Sequence, residues 1–220
     1  MKILIFFTLL LLVATTIFAK TDKNSENKKI ATQVIDRYGK SKNVTADIEK
    51  IDEKTTLGTK TTNKGTLKYS SGKFYLVLQS DKKTEIYYKA QHLTLVDYPD
   101  TDFDKNGVRK VTHVENNGPA FLKSLVNLFS NSKNFFKQFK ILSSVRSGEI
   151  VTLELKPSVP SLKDFKLEID SKLKNVKSIS FTDDVNTRTT VLFTNLDLKT
   201  VIPKSTFEFK ANKTDQEVTR

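Results

Sequence analysis

The 220 residues include no cysteine and no tryptophan. Without cysteine there is no disulfide framework, no thiolate metal site and no cysteine nucleophile. Histidine is confined to His92 and His113, which lack metal-ligand spacing and fall in segments of strand character. A G-x-S-x-G elbow, a Walker loop and a dinucleotide-binding glycine pattern are all missing. No nucleophile–base pair stands out either, so the chain reads as a non-enzyme that needs no cofactor and no metal. Only 7 Gly and 5 Pro are present, which argues against low-complexity or collagen-like structure.

Long hydrophobic runs are scarce as well. The one at the start, Ile3 to Val13, is shorter than the roughly 20 residues a bilayer span needs. With Lys2 before it and Ile17-Phe18-Ala19 after it, it reads as a secretory signal peptide over residues 1–19, cleaved after Ala19. Residues 20–220 are then one exported domain, expected in the periplasm. Lys and Arg number 37 against 25 Asp and Glu, a net charge of +12. The lysines are scattered, and many alternate with apolar residues, as in Phe165-Lys166-Leu167-Glu168-Ile169. That is the pattern of a solvated sheet face, and without clustered arginine or an aromatic RNA-binding motif nucleic acid is not an expected partner.

What the chain does contain is strand signal around one apolar helix. From Pro119 to Ser130, the residues Phe121, Leu122, Leu125, Val126, Leu128 and Phe129 recur at the helical period and form one wide apolar face. Asn117-Gly118-Pro119 suits its start and Asn131-Ser132 its end. A first helix is marked by Ile30, Val34, Ile35 and Tyr38 and closed by Gly39 as a left-handed cap, with a polar, fraying stretch before it. Period-two alternation then predicts strands from Asn43, from Gly65 to Tyr69, and over Lys73–Gln79, with Thr55–Thr62 a long turn. In Lys73–Gln79 both Phe74/Leu76/Leu78 and Tyr75/Val77 are apolar, so a helix or partner should cover its second face. Further strands are predicted over Thr84–Lys89, His92–Tyr98 and Val108–Val114, and after the helix from Phe135 to Arg146, then Ile150–Lys156, Asp164–Asp170, Val176–Thr182, Thr189–Leu198 and around Phe207 and Phe209. The fold class is mainly β with a few helices. Hairpin-length connections predict an antiparallel meander of about eleven or twelve strands, forming a strongly curved sheet or an incomplete barrel.

A curved sheet has a hollow side, and an apolar helix can cover it. Asp102-Phe103-Asp104-Lys105-Asn106-Gly107 starts like a calcium loop, but its twelfth place holds His113 and its flanks are strands, so it reads as an acidic hairpin loop. Apolar hollow, helical cover, export and no catalytic set together point to binding of a hydrophobic ligand.

Several stretches resemble the periplasmic outer-membrane lipoprotein carriers of the LolA type. They are Val44-Thr45-Ala46-Asp47-Ile48, Gly65-Thr66-Leu67 with Lys73-Phe74, Leu93-Thr94-Leu95-Val96-Asp97-Tyr98-Pro99 and Leu153-Glu154-Leu155-Lys156-Pro157. Further on, Ile179-Ser180-Phe181-Thr182-Asp183, Thr189-Thr190-Val191-Leu192-Phe193 and Thr206-Phe207-Glu208-Phe209 continue the likeness, which runs from Ile30 to about Val218. The resemblance implies an unclosed barrel lidded by helices, a monomeric shuttle that holds the acyl chains of lipoproteins in its hollow. Its implied partners are an inner-membrane lipoprotein-releasing ABC transporter and an outer-membrane lipoprotein acceptor. On that basis Val44, Ala46, Ile48, Leu67, Tyr69, Phe74, Leu76, Leu78, Leu93 and Leu95 are the expected lining, with Leu122, Leu125, Val126 and Phe129 as lid. Where the family carries Arg-Pro before its third strand, this chain has Ser71-Gly72, leaving Lys73 as the nearest docking cation. The alternative is a non-enzymatic lipid- or peptide-binding envelope module on the same scaffold.

Overall fold

A computed structural model describes residues 24–219 except 42, 101, 104–106, 116–119 and 159. The expected signal peptide, the Asn117-Gly118-Pro119 helix start and the middle of the acidic loop lie outside the described residues. Twelve strands form one sheet: β1 (Asn43–Lys54), β2 (Thr59–Ser70), β3 (Lys73–Gln79), β4 (Lys83–Lys89), β5 (His92–Asp97), β6 (Lys110–Val114), β7 (Phe139–Ser147), β8 (Ile150–Pro157), β9 (Leu162–Asp170), β10 (Asn175–Asp183), β11 (Thr187–Asp197) and β12 (Gln216–Thr219). Their spatial order is β12-β6-β5-β4-β3-β2-β1-β11-β10-β9-β8-β7, with no pairing between β12 and β7, so the barrel stays open. The helices are α1 (residues 24–40), α2 (Ala120–Ser130) and α3 (Ser132–Gln138).

Alternation along β1 and β3 places Val44, Ala46, Ile48, Phe74, Leu76 and Leu78 on one buried face. That face is concave. Strands about 4.8 Å apart would hold β3 and β11 some 14 Å from each other on a flat sheet. The Phe129 ring of α2 spans that interval, 6.0 Å from Phe74 of β3 and 6.3 Å from Phe193 of β11. Gly65 marks one point of strong curvature, because a Cβ there would come within 1.8 Å of the Val77 carbonyl oxygen.

Several expectations are corrected. α1 is already helical at residue 24 and runs through Gly39 instead of ending there. Gly39 serves close approach, since a Cβ would sit 1.8 Å from the Ser130 carbonyl oxygen at the end of α2. Residues 59–62 belong to β2, which pairs with β1 as far as Lys54↔Thr59. Phe135 and Phe136 sit in α3, capped by Asn131 accepting from the Asn134 amide at 2.9 Å, and not in the following strand. Phe207 ends a 3₁₀ turn, Lys204–Phe207, and the last strand is β12, which pairs with β6 in parallel, against the expected all-antiparallel meander.

The second face of β3 is covered by the chain's own C-terminal segment. Val96 and Val111, both 0% exposed, lie outside the concave cluster, and Ile202 and Phe207 are buried along the covering segment. Arg109 locks that segment down by donating to both carboxylate oxygens of Asp215, at 2.8 and 2.6 Å.

Candidate functional site

The concave face and the helices share one apolar cluster. It contains Val44, Ala46, Ile48, Leu67, Tyr69, Phe74, Leu76, Leu78 and Leu93 from the strands together with Leu122, Leu125 and Phe129 from α2, all buried. Leu95 and Val126 are partly buried and pack against it. Thus all fourteen residues expected as lining or lid meet in one place. Lys73 does not join them. It opens β3 beside the Ser71–Gly72 turn, whose φ values are 47 and 82, and by alternation it stands on the convex side with Tyr75 and Val77.

Phe129 is the centre of the arrangement. Its ring lies 5.4 Å from Tyr38, 5.4 Å and nearly parallel to Tyr69, and within reach of Phe74 and Phe193. Aromatic packing of this kind adds about 0.5–1.5 kcal/mol per pair beyond area burial. The hollow is therefore filled by the chain's own helix. Recesses lie elsewhere: one of about 600 Å³ at the ends of β4–β6, lined by Lys82, Asp97, Asp100 and Phe103, and one of about 500 Å³ beside β7.

The lid is pinned at one end. The Ser132 amide donates to Asp36 of α1 at 2.9 Å, and this bond holds the Asp36 carboxyl below its ordinary value. That bond ties α1 to the first residue of α3, and the Gly39–Ser130 approach sets α1 against the C-terminal end of α2. α1 itself is tied to β10: the Tyr38 hydroxyl accepts from the Val176 amide at 2.7 Å, Arg37 donates to Asn175, and burial pushes the Tyr38 phenol up to about 12. The C-terminal end of α2 therefore packs on α1, which is itself tied to the sheet.

Residues of the second half complete the hollow and were missing from the expected lining. Leu153, Phe165, Leu167, Ile179, Val191 and Phe193 belong to the same cluster, as do Val34, Ile35 and Tyr38 of α1. Their strand and helix periodicity was the available signal. His113 lies on the convex side of β6, 3.1 Å from the Thr94 hydroxyl, 3.8 Å from the Glu217 carboxylate and edge-on to Phe209. Among the described residues no group of three or more His, Asp and Glu could hold a metal ion, and no helix is long and apolar enough to cross a membrane.

An open, helix-covered sheet with an apolar concave face suits the binding of an apolar group. The chain belongs to the LolA family: the model of the outer membrane lipoprotein carrier protein LolA matches residues 58–210. No curated protein matches. Among solved structures, a LolA superfamily protein from Nitrosomonas europaea is 8% identical, with 81% of this chain and 97% of that one covered and a TM-score of 0.39. LprF from Mycobacterium bovis is 11% identical, with coverages of 82% and 97% and a TM-score of 0.44. The MucA/MucB complex of Pseudomonas aeruginosa gives 8% identity and a TM-score of 0.42, covering 84% of this chain and 61% of that one.

Proposed function

We propose that the protein is a periplasmic carrier that takes the acyl chains of lipoproteins into the hollow beneath α2 and shuttles them from the inner to the outer membrane. The observation that carries this reading is that the hollow is filled by the chain's own helix: Leu122, Leu125 and Phe129 occupy the concave face from α2. Acyl burial is worth about 0.8 kcal/mol per CH₂, so a lipoprotein does not leave a membrane for water unaided. A carrier must offset most of that cost while holding its cargo weakly enough for an acceptor to take it. Displacing the carrier's own lid side chains sets the balance, because part of the gain from acyl burial is spent on moving them. Cargo would be received from an inner-membrane lipoprotein-releasing ABC transporter and passed to an outer-membrane acceptor. Lys73 beside the Ser71–Gly72 turn is the proposed docking cation, placed outside the hollow where a partner reaches it.

The test is Leu125→Glu, which puts a charge at the inner face of the lid. With the fold retained by circular dichroism, the variant should bind a triacylated lipoprotein more tightly, because the charge penalises the closed form that cargo displaces. Unchanged binding would remove α2 from the mechanism.

A further inference from the structure

The two edges of the sheet are treated differently. At one edge β6 is covered by the chain's own β12, held in place by the Gln216 amide donating to the Arg109 carbonyl at 2.9 Å and by the Arg109–Asp215 pair. At the other edge β7 pairs with β8 alone. Nine residues long and largely exposed, β7 has no backbone bond beyond that ladder over residues 140–147 among the described residues. An open strand edge is a template for another chain, and proteins commonly guard it with charge, proline or a bulge. Here the bulge between Ile141 and Ser143 turns no charge outward; Leu142 is 67% exposed and Val145 63%. Grooves of about 500 and 440 Å³ flank the strand, walled by the first turns of α1.

Charge identifies the occupant. Lys140 stands directly opposite Lys156 in the β7–β8 register, and both are exposed. Like charges directly opposite destabilise a ladder. Lys28 is exposed in the same groove, while among the described residues the one acidic side chain lining the grooves, Glu26, is paired with Arg146 at 3.1 Å. A second copy is a poor match, because antiparallel self-pairing centred on Ser143 sets Lys140 against Arg146 twice, on a chain of net charge +12.

We propose that the free edge of β7 takes up an extended, acidic polypeptide segment as an added strand. Main-chain hydrogen bonds to β7 supply the affinity. An acidic residue beside Lys140 and apolar residues against Leu142 and Val145 supply the selectivity.

Two labelled nine-residue peptides test this on the full chain, one alternating valine and glutamate, the other alternating valine and lysine. Fluorescence anisotropy at low salt should show binding of the first only, and amide exchange should slow over residues 140–147. Lys140→Glu, an exposed change, should weaken the glutamate peptide about tenfold and admit the lysine peptide. The proposal is overturned by absence of binding, by equal binding of both peptides, or by protection at β6 and β12 in place of β7. Protection of β7 that grows with protein concentration in the absence of peptide would assign the edge to a second copy and overturn it equally.

Discussion

Truncating Phe129 to alanine separates a lid from a wall. Phe129 is 1% exposed and its ring meets Tyr38, Tyr69, Phe74 and Phe193. Removing a buried phenylalanine costs about 3–5 kcal/mol, and this site is walled by four rings on α1, β2, β3 and β11, so collapse into the void is limited. We take about 3 kcal/mol as the loss from the closed form. If cargo displaces α2, the loaded form has already given up those contacts and loses little. The difference then appears as tighter binding, up to roughly a hundredfold at about 1.4 kcal/mol per decade. Urea unfolding measures the first quantity, and titration with a fluorescent long-chain fatty acid the second. Stability should fall while affinity rises. A fall in both would make Phe129 part of a fixed wall and refute the displacement scheme.

Three other outcomes follow from the packing and the electrostatics. Gly39→Ala drives a Cβ to 1.8 Å from the Ser130 oxygen, so despite alanine's better helix propensity it should cost about 1–3 kcal/mol in urea unfolding. Asp215→Asn removes the charge that Arg109 grips, and trypsin should then cut at Lys210 and Lys213 well before it attacks the rest of the sheet. Glu85 supplies a pH dependence. Burial alone would raise its carboxyl, but the Lys83 ammonium at 2.6 Å and the Tyr87 hydroxyl at 2.8 Å outweigh it and hold the group below the ordinary glutamate value. A depressed folded-state pKa stabilises above the unfolded value, about 4.3, and that contribution is lost as pH falls through the folded value. Glu85→Gln should therefore flatten the fall in stability below about pH 5, read from melting temperature against pH.

Where one face of a strand is buried and the other wet, the sequence announced it. Val44/Ala46/Ile48 and Phe165/Leu167/Ile169 alternate cleanly, and both sets lie in the cluster. The α2 face was equally plain, because its apolar residues recur over three turns. Residues 59–64 were hidden for the opposite reason: they are exposed on both faces, so their polar run carries no period. α3 has seven residues, too few for its Phe135 and Phe136 to outweigh a strand reading. Phe207 and Phe209 mimic strand alternation, yet Phe207 is buried against the convex face from a 3₁₀ turn. Glycine 39 misled because a cap and a close approach both demand glycine, and only the neighbouring helix distinguishes them. The residues expected as lining and lid were legible as buried apolar positions of one cluster, while the C-terminal cover and the parallel β12 rest on contacts remote in sequence.

The most direct test of the carrier reading is native mass spectrometry of the mature chain after loading with a triacylated lipoprotein in detergent and removal of the detergent. The expected result is a soluble one-to-one complex from which the lipid moiety can be extracted. A chain that stays empty, with its melting temperature unchanged by cargo, would contradict the reading and leave α2 as part of a permanent core.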